Sequence, residues 1–135
     1  MKQTIKTMVL DLLTVEQVAS VSVTEKTMFT VDEVENRKPD ISVWTRNVTY
    51  RFSAEELSEY ISRIHEIIGL DFTKRYSGSH GLPSISYTAK CDDFKITIYT
   101  YLHDMDTLNE VAGCEMALKE NKYTSTSFVC KVKQP

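Results

Sequence analysis

Residues 53–69 constrain the chain more than any other stretch. Ser53 is followed three positions later by Glu56, the spacing of a capping box, in which hydroxyl and carboxylate satisfy two backbone donors of a helix start. Leu57, Tyr60, Ile61, Ile64, Ile67 and Ile68 then recur at helical spacing, and Gly69 is a natural stop. A helix with one long apolar stripe has to bury that stripe against another layer. The candidate layer is close in sequence. Residues 41–45 and 48–52 are rich in β-branched and aromatic side chains and flank Arg46-Asn47, which reads as a hairpin feeding the helix.

The same order recurs further on. Residues 84–91 and 94–102 alternate apolar and polar side chains around Asp92-Asp93, the pattern of a second hairpin. A short helix over 104–112 follows, with Met105, Leu108, Val111 and Ala112 inward and Gly113 after it. Residues 114–119 and 123–132 read as a last hairpin. At the N-terminus, residues 4–19 read as helix, with a second capping box at Thr14 and Gln17. Residues 20–35 fit strand or helix, and 36–39 break either. Ser77-Gly78-Ser79-His80-Gly81-Leu82-Pro83 reads as the clearest loop. The expectation is an α+β fold: an antiparallel sheet of hairpins with two or three helices packed on one side. One domain over 1–135 is expected, its halves meeting near residue 69 without a clear linker.

Composition excludes some classes. A net charge of −3 disfavours a broad electrostatic grip on nucleic acid or an anionic membrane, although a local basic patch remains compatible with it. No apolar run approaches the ~20 residues of a membrane span, and the N-terminus lacks a signal-peptide pattern. Cys91, Cys114 and Cys130 are odd in number and form no C-x-x-C, which argues for reduced, buried thiols and a cytoplasmic location.

Four stretches in order, at 13–19, 23–29, 38–43 and 50–61, resemble the winged helix-turn-helix of excisionase and MerR-type proteins. In that family they are support helix, start of the recognition helix, entry to the wing and exit to a closing helix. The resemblance spans residues 12–62 and implies a degenerate winged helix in the N-terminal half, with DNA as the family's partner. The stretch matching the recognition helix carries Glu25, Asp32, Glu33 and Glu35 against Lys26, so its charge suits a protein better than a phosphate backbone.

Motifs of chemistry are sparse. His103, Asp104 and Asp106 meet at a strand-to-helix junction and would be the centre of a small enzyme, but an N-cap explains them more simply. Ser79-His80 lacks the geometry of a nucleophile elbow, and His65, His80 and His103 are too scattered for a metal site. No phosphate-cradling glycine motif occurs, so no metal, cofactor or catalytic residue is assigned. The aromatic residues say more. Trp44, Tyr50, Tyr99 and Tyr101, with Arg46 and Arg51 beside them, form a candidate partner-binding patch, because aromatic and arginine side chains anchor protein interfaces. Single-stranded nucleic acid is the lesser alternative. The sequence therefore points to a non-enzymatic protein that binds a protein partner stoichiometrically, in the manner of an anti-CRISPR-like inhibitor of host defence from a phage or mobile element. A DNA-binding regulator and a small enzyme near His103 are the alternatives.

Overall fold

The computed structural model describes residues 5–24, 39–45, 50–79, 81–119 and 127–131. The elements in order are α1 (Ile5–Leu12), β1 (Val18–Thr24), β2 (Asp40–Thr45), β3 (Arg51–Phe52), α2 (Ala54–Ile68), β4 (Thr73–Ser79), β5 (Leu82–Lys90), β6 (Lys95–Leu102), α3 (Met105–Ala112), β7 (Met116–Lys119) and β8 (Ser127–Cys130). The eight described strands form one mostly antiparallel sheet: seven follow the order β1-β2-β6-β5-β4-β8-β7, and β3 pairs with β6 off this path. The α+β expectation holds.

α2 forms as its sequence dictates. The Glu56 amide donates to Ser53 Oγ (3.2 Å), and the Ser53 amide donates to Glu56 Oε1 (3.4 Å), which completes the capping box. Gly69 ends the helix at φ 72°, where its amide donates to the His65 carbonyl. Leu57, Tyr60 and Ile64 are buried, and the two aliphatic side chains are each worth about 1.5–3 kcal/mol relative to an exposed one. They meet Phe52, Ile96, Ile98 and Leu102 from one face of the sheet, and α1 and α3 flank α2 on that same face.

The hairpin 84–102 stands in the expected register, Ser84 opposite Tyr101 and Lys90 opposite Lys95. Alternate residues of β5 and β6 are buried, and the one buried polar side chain among them, Thr100, donates to the Ile85 carbonyl (2.8 Å). α3 also forms where expected, capped by Asp104, whose carboxylate accepts from the Thr107 amide (2.9 Å).

Several expectations are corrected. The first helix stops at Leu12 instead of continuing to residue 19. Thr14 Oγ1 donates back to the Asp11 carbonyl (2.6 Å), so Thr14 closes α1 and caps nothing, and Val18, Val21 and Val23 enter β1. Residues 20–24 are therefore strand, while 25–38 lie outside the described residues. Residues 41–45 and 51–52 are strands but not a hairpin. Both run parallel to β6, β2 along residues 95–98 and β3 along 101–102, end to end on the same side of it. The repeated hairpin-then-helix pattern is thus not a repeat in space.

The expected loop at 77–83 is the end of a tight hairpin. Gly78 pairs with Pro83 and Ser79 with Leu82. Gly78 has φ 103°, and a Cβ there would clash with the Leu82 carbonyl oxygen, so only glycine fits this close approach. Finally, Cys114 and Cys130 are joined in a disulfide, with Cα atoms 5.7 Å apart, and Cys91 is free and half-buried. The pairing follows from the β7–β8 register, which sets Met116 opposite Cys130 and so brings Cys114 within reach. Disulfides persist in oxidising surroundings, so the argument from reduced thiols to a cytoplasmic location loses its support.

Candidate functional site

The sheet face opposite the helices is the candidate site. Strand alternation fixes its residues, and the register arranges them in rows across the strands. Thr24, Asp40, Lys95 and Lys90 make the first row. Ser22, Ser42, Thr97, Thr88 and Thr73 make the second, a band of five hydroxyls. The third runs Ser20, Trp44, Tyr99, Ser86, Arg75, and the fourth Arg51, Tyr101, Ser84, Ser77, Ser127. No described helix covers these rows.

Trp44 and Tyr99 stack with ring centroids 4.3 Å apart and planes 10° apart. The pair stands as a ridge on the face, with Trp44 40% exposed and Tyr99 half-buried. Such stacking adds about 0.5–1.5 kcal/mol and holds both rings in one orientation before any partner arrives. Beside the ridge is a depression of about 320 Å³ between Arg75, the β5 serines and the Tyr99 and Tyr101 rings.

The face differs in charge from the rest of the molecule. It carries Arg51, Arg75, Lys90 and Lys95 against Asp40. Among the described residues none of these cations has an ion-pair partner, whereas Lys131 is held by Glu115 at 2.8 Å. The helical side carries Glu55, Glu56, Glu59, Glu66, Asp106 and Glu110 against Arg63 on α2 and α3. The net charge of −3 therefore conceals two faces of opposite sign.

Of the expected patch, the structure brings together Trp44, Arg51, Tyr99 and Tyr101. Arg46 lies outside the described residues. Tyr50 is on the other side of the strand: its ring packs edge-on against Phe52 (4.8 Å), and its hydroxyl donates to Glu56 Oε2 (3.3 Å). Alternation already implies this, because Tyr50 and Arg51 are adjacent and Arg51 faces outward. Arg75 is not among the expected site residues, because the glycines and serines of residues 77–81 mask the strand that carries it. The alternation of Thr73, Arg75 and Ser77 was the available signal.

The catalytic candidates are dispersed. His103 Nε2 lies 4.0 Å from Glu56 Oε1 at the solvent-exposed start of α2, and Asp104 caps α3. Hydrogen bonding with Ser53, opposed by partial desolvation and aided by Tyr50 and His103, holds the Glu56 carboxyl below the usual range. His65 lies 3.6 Å from Asp71 and edge-on to Phe72. His80 and the Ser79 side chain lie outside the described residues. Among the described residues, no three His, Cys, Asp or Glu side chains gather as metal ligands. No described helix is long and apolar enough to cross a membrane.

The four stretches compared with a winged helix-turn-helix are placed as follows. In the first, residues 13–17 are turn and 18–19 open β1; in the second, 23–24 end β1 and 25–29 lie outside the described residues; in the third, 40–43 are in β2; and in the fourth, 51–52 are β3 and 54–61 begin α2. Comparison with known proteins gives no match to a family model, a curated protein or a solved structure.

Proposed function

We propose that this chain is a small non-enzymatic binding protein whose open sheet face docks stoichiometrically on a protein partner and blocks or adjusts it. The observation that carries this reading is the Trp44–Tyr99 ridge, on a face that no described helix covers, flanked by Arg51 and Arg75, which have no ion-pair partner among the described residues. Tryptophan, tyrosine and arginine supply most of the binding energy at protein interfaces, where burial strengthens contacts that water would otherwise weaken. The hydroxyl band supplies neutral donors and acceptors that can pair with a partner's backbone and polar side chains. The cationic bias of the face favours a partner whose matching surface is acidic.

The test is affinity capture at two salt concentrations with nuclease present. It compares the wild-type chain, Trp44→Ala/Tyr99→Ala, and a helical-side control, Glu59→Lys/Arg63→Glu. The expected result is one protein recovered in equimolar amount by the wild type and the control and lost with the double alanine variant. Equal recovery by the double alanine variant refutes the docking face, and recovery of nucleic acid in its place when nuclease is omitted refutes the protein partner. The identity of the captured protein also decides the anti-defence reading, which requires a component of a host defence system.

A further inference from the structure

The depression beside the aromatic ridge exists because side-chain size alternates across three strands. β5 presents only Ser84 and Ser86 to this part of the face, and β4 adds Ser77, so the floor is low. Tyr99 and Tyr101 rise from β6 on one side, and Arg75 rises from β4 on the other. Its chemistry is lopsided. Ser77 Oγ and Ser84 Oγ are 3.0 Å apart, which uses one of their two hydroxyl hydrogens and leaves the other free to donate. The Ser86 hydroxyl and the guanidinium of Arg75 add further donors. Among the described residues no carboxylate lines the pocket, and Arg75 has no ion-pair partner.

A recess rich in donors, carrying one cation and walled by two phenol rings, fits a small anionic oxygen group on a short apolar stem. We propose that this depression binds a carboxylate, presented by the side chain of an acidic residue of the protein partner. Arg75 engages both oxygens as a fork, the serine hydroxyls donate to their remaining lone pairs, and the tyrosine rings cover the methylenes. At about 320 Å³ the recess is at the small end of ligand pockets and has room for an acidic side chain. A phosphate backbone is the poorer fit. It needs a track of cations, whereas Arg51 is separated from Arg75 by Tyr101 and the serines, and Lys90 and Lys95 stand beyond the hydroxyl band.

The inference rests on the open face being a docking surface, and its test is separable from that reading. Full-length protein is titrated with glutamate blocked at both termini, with blocked glutamine and with inorganic phosphate. Amide NMR shifts are followed at Arg75, Ser84, Ser86 and Tyr101, together with the fluorescence of Trp44, the only tryptophan. Blocked glutamate is expected to shift these amides saturably, with a dissociation constant on the order of millimolar. Blocked glutamine is expected to leave them unmoved, and Arg75→Gln to weaken the glutamate response about tenfold or more, Arg51→Gln less than about twofold. No shift with glutamate, an equal shift with glutamine, or an undiminished response in Arg75→Gln overturns the carboxylate site. A stronger response to phosphate than to glutamate overturns it as well. If the site fails while Trp44→Ala/Tyr99→Ala still loses the captured partner, the docking face stands and only the carboxylate assignment falls.

Discussion

Replacing Tyr60 with phenylalanine should stabilise the protein. Tyr60 is 0% exposed in the middle of α2, packed on Phe52 with ring centroids 4.9 Å apart, and its hydroxyl has no hydrogen-bond partner among the described residues. Burying an unpaired hydroxyl costs about 1–3 kcal/mol. Phenylalanine removes that cost and leaves a void no larger than about 15 Å³, which at ~24 cal/mol per Å³ returns only about 0.4 kcal/mol. The expected net gain is about 1–2 kcal/mol, or about 3–6 °C in Tm for a chain of this size. Urea unfolding with an unchanged m-value would measure it, since neither the folded surface nor the unfolded chain changes appreciably. A loss of 1 kcal/mol or more in Tyr60→Phe would refute the reasoning, because it would mean that the hydroxyl has a partner in solution.

Other consequences follow from the same packing. Loss of the Cys114–Cys130 bond, by reduction or in Cys114→Ser/Cys130→Ser, should cost about 3 kcal/mol from the entropy of a loop of 16 residues, seen as a Tm about 10 °C lower. Burial, helped by the neighbouring Tyr50 and Tyr76, pushes the Tyr60 and Tyr87 hydroxyls above the usual tyrosine range. Both unfolded phenols ionise near pH ~10 while the folded ones stay neutral, so the folded state then binds more protons and stability falls as pH rises beyond that value. The limiting slope is about 2.7 kcal/mol per pH unit, and a pH series of urea melts on the wild type and Tyr60→Phe should show it roughly halved in the variant. Ser53→Ala breaks the capping box and should cost about 1 kcal/mol by thermal melting, with the Trp44 fluorescence of the folded state unchanged.

Local signals were legible in the sequence, and pairing over distance was not. The capping box, the apolar stripe of α2 and the alternation of β5 and β6 are short-range patterns with one structural solution each, and all three stand as read. The helix over 4–19 misled because Thr14-Val15-Glu16-Gln17 also fits a turn, and the β-branched run after it is satisfied only by pairing with β2. The 41–52 segment looked like a hairpin because both runs are strands. That both join β6 instead is decided by β6, which lies some fifty residues later in the chain and has a side free for them. The disulfide is hidden for the same reason: Cys114 and Cys130 are 16 positions apart, and only the β7–β8 register brings them together. At the candidate site, alternation along β6 sufficed to place Tyr99 and Tyr101 outward, and the same rule applied to residues 50–52 would have removed Tyr50. Arg75 needed the recognition of β4, whose glycine and serines resemble a loop.

The most direct measurement is a hydroxyl-radical footprint of the chain, free and in its purified one-to-one complex with the captured protein. Trp44, Tyr99 and Tyr101 are reactive side chains on the open face, and His65 and Met105 are reactive side chains on the helical side. The account predicts that oxidation of Trp44 and Tyr101 falls severalfold in the complex while His65 and Met105 react as before. Protection of His65 and Met105 with Trp44 unchanged would place the partner on the helices and contradict it.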